Sequence, residues 1–436
     1  MLNFGTDGIR GIVGENLDKE TIFLAGKALA QRTKNCKILI SKDNRISSEY
    51  VAMLFSSGVM SQGGFVTDIG YLATPGVSFL TKELDFDYGV MISASHNPPE
   101  YNGIKIFDKS GRKLNQSEEK EIEDLMNEKD ETTTNNYGKY KTAIHLKEKY
   151  FSYIKKIYCN LANKKILLDL SNGVTSSYAK EFFLRLGCQV KVINNNLDGK
   201  YINKNAGILD NNLLLKRKIE EKCDYAVAFD GDGDRICIID KYDNILNGDY
   251  ILYLLTYYYK NFIKINGVVG TTQTNLGIEK SLNSLGINLY RSDVGDKNLF
   301  ALMQKTHSVI GSEQSGHVII KEYLNTGDGL LCALVLLNII EHYENNNEYK
   351  AIINQIKDVP QINLNLEYDN NDLLEKEEVK EYLRVQKLQN GKDYRVVVRK
   401  SGSERKIRIM VEGIDEVIAN QKAQAIYDYL LKVDKK

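Results

Sequence analysis

Short apolar runs alternate along most of the chain with longer stretches in which apolar positions recur every three or four residues. Lys37–Ser41, Tyr88–Ser93, Lys165–Leu170, Asp224–Phe229, Gly267–Thr271 and Ser308–Gly311 are short, apolar and often β-branched, as strands covered on both faces are. Glu20–Arg32, Glu118–Met126, Tyr178–Leu186, Leu213–Glu221 and Leu330–Tyr343 lie between them with helical periodicity. The alternation predicts βαβ units and mostly parallel sheets. Three regions of this kind follow one another. Polar stretches at Glu128–Tyr140 and around Glu344–Pro360 read as seams. Beyond Ile362 the pattern changes. A helix over Leu373–Leu383, strands over Arg395–Val398 and Ile407–Val411 and a closing helix over Val417–Leu431 predict a smaller α+β part.

The length of 436 residues suits two to four domains. Lys plus Arg and Asp plus Glu both number 58, so the formal net charge is zero. Nothing in that balance points to a nucleic acid or an anionic membrane as partner, while an acidic small molecule bound in a local basic pocket stays open. The six cysteines are scattered, without a C-x-x-C pair. Small buried thiols in a reduced cytoplasm fit that pattern better than a disulfide or zinc framework. No charged start followed by an apolar core marks a secretory signal. The longest nearly apolar run, Leu330–Ile340, is shorter than the roughly 20 residues that span a bilayer.

Candidate chemistry lies in loops that follow predicted strands, where open α/β sheets bind ligands. Ser93-Ala94-Ser95-His96-Asn97-Pro98 follows the strand at Tyr88. Ser95 there suits a nucleophile or phosphate carrier, and an Asn-Pro turn with small capping residues explains the same letters. Asp230-Gly231-Asp232-Gly233-Asp234-Arg235 follows the strand at Asp224. Three carboxylates at alternate positions converge on one hard cation, with glycines letting the backbone curl. The alternatives are a solvated acidic turn and an EF-hand loop. The second needs Gly at the sixth position and Glu at the twelfth, where this chain has Arg235 and Lys241.

Gly311-Ser312-Glu313-Gln314-Ser315-Gly316-His317 offers groups that hydrogen-bond sugar hydroxyls, and also reads as an ordinary polar turn. Arg399-Lys400-Ser401-Gly402-Ser403-Glu404-Arg405, with Arg408 beyond it, suits a phosphate dianion or a basic surface hairpin. Gly5-Thr6-Asp7-Gly8-Ile9-Arg10-Gly11 adds a glycine-rich turn with one arginine. No P-loop and no G-x-G-x-x-G after a strand is present, so a nucleotide-driven kinase or a dinucleotide dehydrogenase lacks its fingerprint.

These five segments, in this order from Phe4 to Gly413, resemble the α-D-phosphohexomutase superfamily. The pairing of Ser-Ala-Ser-His-Asn-Pro with Asp-Gly-Asp-Gly-Asp-Arg carries the resemblance. Asn275-Leu276-Gly277, Val294-Gly295-Asp296, Thr326-Gly327-Asp328-Gly329 and Met410-Val411-Glu412-Gly413 extend it. The Glu-Gln-Ser-Gly-His stretch resembles the bacterial phosphoglucosamine mutase branch, where phosphomannomutase/phosphoglucomutase enzymes typically show Glu-Met-Ser-Gly-His. The chain departs from the usual Ser-Gly-Thr-Glu-Pro at Ser403 and Arg405, has Ser312 where Gly is common, and reads Asn203-Lys204-Asn205-Ala206-Gly207-Ile208 where the branch has Asn-x-x-Cys-Gly-Ser.

The resemblance implies three related α/β domains with mostly parallel mixed sheets, plus a smaller α+β C-terminal domain, around a central cleft. Their expected limits are 1–145 (phosphoserine-bearing), 146–243 (metal-binding), 244–350 (sugar-binding) and 360–436 (phosphate-binding lid). It implies interconversion of glucosamine 6-phosphate and glucosamine 1-phosphate through a phosphoserine and a bisphosphorylated sugar. The same chemistry on mannose or glucose phosphates and a non-catalytic sugar-phosphate-binding protein are the rival expectations. By resemblance, Ser95 is phosphorylated and joins Asp230, Asp232 and Asp234 around one Mg²⁺. Arg10, His96, Lys105 and Arg235 surround the transferring group. Glu313 and Ser315 hold the sugar, and Arg399, Ser401, Gly402, Ser403 and Arg408 hold the other phosphate. A sugar bisphosphate serves as activator. The implied partner is a small sugar phosphate, with no nucleic acid and no membrane, and the protein is a cytoplasmic monomer or homodimer.

Overall fold

A computed structural model of the chain describes residues 4–5, 7–128, 136–157, 160–388, 391, 393–401 and 405–435. They divide into two compact units. The first comprises 1–271 and 290–349, and the second 272–289 and 350–436.

The first unit contains the three α/β layers. Its leading sheet has six strands in the order Ile9–Ile12, Tyr101–Asp108, Tyr88–Ile92, Lys37–Lys42, Phe65–Tyr71 and Lys139–Thr142. The last four run parallel to one another, and the first two are joined antiparallel. Tyr88–Ile92 is buried at every position, as an unbroken apolar run between covered faces demands. A second sheet orders Ile245–Leu246, Ile236–Ile239, Tyr225–Phe229, Lys165–Asp169 and Gln189–Ile193. In the third layer Gly267–Thr271 pairs parallel with Ile310–Ser312, and that strand pairs antiparallel with Val318–Ile320.

Two expectations shift at their edges. The strand expected over Ser308–Gly311 starts at Ile310. His307 caps the preceding helix in the left-handed region at φ 55°. Ser308 N–H still donates back to Met303 O at 3.0 Å, so the chain has not yet left the helix exit there. The seam expected over Glu128–Tyr140 ends inside a strand, because Lys139–Thr142 completes the leading sheet beside Phe65–Asp68.

The second unit is α+β. Lys406–Gly413 lies between Gln361–Glu367 and Tyr394–Lys400 in an antiparallel sheet. Leu366, Val396, Ile409 and Val411 pack with Ala423, Ile426 and Leu430 of the helix Glu416–Asp434. The helix expected over Leu373–Leu383 is broken into a single turn, Leu373–Glu375, and a helix, Glu377–Leu388. Segment 272–289, inside the expected third domain, joins this unit. Arg395 donates to the carbonyls of Thr272 and Thr274, both at 2.9 Å, and pairs with the buried Glu412. Among the described residues no helix is long and apolar enough to cross a membrane.

Candidate active site

The strand Tyr88–Ile92 delivers Ser95 to a fully buried position with φ 51°, a left-handed conformation that a serine rarely adopts. Its Oγ donates to Asp230 Oδ2 at 2.7 Å. The aspartates reach this point because Tyr225–Phe229, also buried at every position, ends immediately before them. Gly233 follows the turn with φ 72°.

One carboxylate oxygen from each of Asp230, Asp232 and Asp234 lies within 4.8 Å of the others, and all three residues are buried. Burial, then Asp234 and Asp232, pushes the Asp230 carboxyl well above the usual range. Burial also opposes ionisation of Asp234, but Lys105 and His317 hold it well below that range. Asp232 Oδ1 and Asp234 Oδ1 have no hydrogen-bond partner among the described residues. Hard oxygen donors that are buried, mutually repelling and partly unsatisfied fit a small divalent cation.

Lys105 Nζ lies 2.7 Å from Asp232 Oδ2, 3.3 Å from Asp234 Oδ2 and 3.1 Å from Asp7 Oδ2. Burial disfavours its ammonium, yet Asp232, Asp234 and Asp7 raise its pKa well above the ordinary lysine value. Arg10 donates from Nη1 to Asn97 Oδ1 at 3.0 Å, beside the serine loop, and pairs with Asp7. Asp7 in turn meets Lys113, which reaches Asp296. Arg235 is mostly buried and donates its N–H to Asp230 Oδ1 at 3.2 Å. His96 carries a buried Nδ1 without a partner among the described residues. Arg235, burial and Arg10 together lower its pKa to about 3, so the imidazole is neutral at neutral pH.

The sugar-loop candidates join the same unit. Ile236 N–H donates to Gly316 O at 3.0 Å, tying that loop to the strand after the aspartates. Glu313 is buried and accepts from Gly295 N–H at 2.8 Å, whereas Ser315 is exposed. Ser312 donates to Gly248 O at 2.7 Å, so its hydroxyl serves packing. His317 accepts the Gly327 N–H at Nε2 at 3.1 Å and directs Nδ1 toward Asp234 Oδ1 at 3.7 Å. Asp234 increases its basicity against the effect of burial. The Gly327 N–H needs a lone pair at Nε2, however, so the geometry accommodates the neutral Nδ1–H tautomer.

In the second unit Arg399 and Arg408 are directly opposite in the antiparallel ladder. Ser401 N–H closes the hairpin onto Lys406 O at 2.8 Å. Arg405 donates to Asp369 O and lies over the Tyr368 ring, 5.9 Å from its centroid. Gly402 and Ser403 lie outside the described residues.

The sequence reading passed over several participants. Asp7, Asp296 and His317 stand inside the sequence motifs without a role expected of them, and Lys113 lies outside every motif. Thr74 donates both its N–H, at 3.0 Å, and its hydroxyl to Asp232. Asp43 and Arg45 follow the strand Lys37–Lys42 at its carboxyl end, the same positional signal that singled out Ser95.

Residues 1–133, 148–243 and 247–358 match the alpha/beta/alpha domains I, II and III of phosphoglucomutase/phosphomannomutase. A phosphoglucosamine mutase of Thermotoga neapolitana is 38% identical over 416 residues, covering 94% of this chain and 95% of the relative. One of Fusobacterium nucleatum subsp. nucleatum is 36% identical over 444 residues, covering 97% of each. Among solved structures, a phosphoglucomutase/phosphomannomutase family protein from Burkholderia thailandensis superposes with TM-score 0.83 at 20% identity, over 99% of this chain and 97% of that one. Aspergillus fumigatus N-acetylphosphoglucosamine mutase, in complex with GlcNAc-6P and magnesium, superposes with TM-score 0.68 at 16% identity, over 100% and 96%. The two structural likenesses concern the fold. The three domain matches and the identity over nearly the whole length lead to one assignment: the chain belongs to the phosphoglucosamine mutase family of the α-D-phosphohexomutase superfamily, a group of phosphosugar isomerases.

Proposed function

We propose that this protein interconverts glucosamine 6-phosphate and glucosamine 1-phosphate, passing a phosphoryl group through Ser95. The observation that carries the proposal is the buried hydroxyl of Ser95, 2.7 Å from a carboxylate of a three-aspartate cluster. In the first step the bond between the Ser95 oxygen and phosphorus breaks as a bond to the sugar's free hydroxyl forms. The hydroxyl proton passes, net, to the Ser95 oxygen that the phosphoryl group has left, and the product is a sugar bisphosphate. In the return step the other phosphate moves to Ser95, which regenerates the phosphoserine and releases the isomeric monophosphate. Sugar bisphosphate supplied from outside loads Ser95 and so acts as activator.

Asp230, Asp232 and Asp234, with Ser95, would hold Mg²⁺, and the two unpartnered carboxylate oxygens support this. The bound cation supplies charge neutralisation for the transferring phosphoryl group. Lys105, Arg10 and Arg235 provide fixed positive charge around it, in a buried setting where such charge acts strongly. His96, neutral and beside the nucleophile, offers an uncharged hydrogen-bonding group. Glu313 and Ser315 accept and donate to sugar hydroxyls.

The C-terminal loop, with Arg399, Ser401, Gly402, Ser403 and Arg408, anchors the phosphate that is not transferring. Arg399 and Arg408 stand opposite each other in the ladder, so two guanidinium groups are brought to one place on the hairpin, which suits a phosphate. We assign the parts of the reaction to residues 1–145, 146–243, 244–350 and 360–436, the last acting as a lid. We place the protein in the cytoplasm, in keeping with the free buried thiols of Cys36, Cys188, Cys223, Cys237 and Cys332.

The test is turnover of the 1-phosphates of glucosamine, mannose and glucose under identical conditions. Glucosamine 1-phosphate is expected to have the highest kcat/KM. A higher value for mannose or glucose 1-phosphate would transfer the assignment to that sugar.

A further inference from the structure

The backbone that presents Ser95 is gripped from two sides. Within the leading domain, Ser95 N–H donates to Ser93 Oγ at 2.9 Å, and Ser93 Oγ donates to Asp43 Oδ2 at 2.7 Å. The same carboxylate oxygen accepts Arg45 Nε at 2.9 Å. Arg45 Nη2 then returns to Ser95 O at 2.8 Å and Asn97 O at 2.9 Å. Both polar backbone groups of Ser95 thus belong to one closed circuit of buried groups.

The second grip comes from a residue far along the chain. Asn203 Nδ2 donates to the same two carbonyls, Ser95 O at 2.7 Å and Asn97 O at 3.0 Å. Carbonyl oxygens only accept, so the amide must turn its NH₂ toward them. The cost is visible at the other end, where Asn203 Oδ1 is buried without a hydrogen-bond partner among the described residues. The metal loop closes against this junction. A Cβ on Gly231, between Asp230 and Asp232, would stand 2.7 Å from Ser95 O and 2.8 Å from Asn203 Nδ2. The Ser95 carbonyl, the Asn203 amide and the Gly231 backbone therefore meet at one point, with no room for an added methyl group.

We propose that Asn203 is a positioning residue for phosphoryl transfer: its amide clamps the Ser95 and Asn97 carbonyls against the backbone of the aspartate loop. The clamp keeps the Ser95 hydroxyl and the carboxylates in one register while Ser95 holds its left-handed conformation. This inference rests on the assignment of Ser95 as the phosphoryl carrier. Asn203 donates to the carbonyls of the serine loop, so its loss is expected in kcat while KM stays level.

Two substitutions test it. Asn203 has φ 59°, so Asn203→Gly removes the amide while keeping a backbone that tolerates this conformation. Asn203→Asp keeps the shape but turns an acceptor toward two carbonyls. Asn203→Asp is expected to lower kcat about 10²-fold and Asn203→Gly about tenfold, the scale for a misplaced reacting group. KM for glucosamine 1-phosphate should stay within about twofold. Intact-protein mass after mixing dephosphorylated enzyme with sugar bisphosphate should show slower loading of Ser95 in both variants, with the melting temperature of Asn203→Gly close to that of the wild type and that of Asn203→Asp lowered by its buried carboxylate. Loading rates and kcat within about twofold of wild type in both folded variants, or a rise in KM that accounts for the whole loss, would overturn the proposal. Wild-type protein that never acquires phosphate on Ser95 would instead remove the assignment beneath it.

Discussion

Two regions are assigned to phosphate in the proposed reaction, and they are built by opposite means. Around Ser95 every reacting or charged group is buried or nearly so, and each is held by several partners. Lys105 alone meets three carboxylates. In the C-terminal hairpin Lys400, Arg405 and Arg408 are exposed, and Ser401 is half-buried. The difference follows from the work each would do. A site where charge moves gains from fixed dipoles in a low-dielectric setting, since nothing has to reorganise during the step. An anchor that takes a phosphate from solvent, releases it and takes the other end of the same sugar gains from accessible cations, which lose little solvation on binding.

The contrast is open to experiment. The largest effect is expected from Ser95→Ala, which removes the group that carries phosphate. Mutase turnover should fall by roughly 10⁴-fold or more, measured by coupled assay, with little change in the urea midpoint. Substantial turnover in this variant would make the buried end dispensable and dissolve the comparison. Next is Arg45→Met, which leaves Asp43 buried without its cation and takes one donor from each of five acceptors. Breaking a buried pair in this way costs about 3–5 kcal/mol, read as a lower urea midpoint at unchanged slope. A loss under about 1 kcal/mol would show that the serine loop is less tightly held than its hydrogen bonds indicate.

Buried carboxylates also give the first unit a pH signature. Burial raises Asp328 from 3.8 to about 6, against the opposing bonds from Leu331 N–H and Tyr150. The folded state therefore binds a proton more tightly than the unfolded chain. Between about pH 4 and pH 6 stability should fall as pH rises, by up to about 3 kcal/mol, and level off above that. Asp328→Asn keeps an acceptor for Leu331 N–H and offers a donor to Tyr150, so it should remove this component of the slope. An unaltered slope in that variant would place the proton elsewhere. The smallest effect is expected in the hairpin. Arg399→Ala should raise KM for the sugar phosphate about tenfold, equivalent to about 1.4 kcal/mol. kcat should change less, and the KM defect should shrink with added salt as phosphate contacts are screened. An effect on kcat as large as that of Asn203→Asp would mean that the hairpin shares in the transfer step.

Much of this arrangement was legible in the chain because it is local. A buried parallel strand demands an unbroken apolar run, and the loop after it is where a ligand site forms. Those runs therefore mark the Ser95, Asp230 and Glu313 loops independently of packing. The strand Gln361–Glu367 lies outside the expected elements although Ile362, Leu364 and Leu366 alternate along it. Segment 272–289 carried no sign that it packs with the C-terminal sheet, since that membership depends on Arg395 more than a hundred residues away.

By itself the sequence determined which loops carry hydroxyl, carboxylate and guanidinium groups, and, through its family likeness, what chemistry they serve. Only the tertiary structure decided their company: that Ser95 meets Asp230 across 135 positions of chain, that Lys105 is shared among Asp7, Asp232 and Asp234, and that Asn203 and Gly231 close on the Ser95 carbonyl. The physical reason is that strand order and layer packing set these encounters. A motif records which side chains a loop offers, whereas burial, partner and distance belong to the folded chain as a whole.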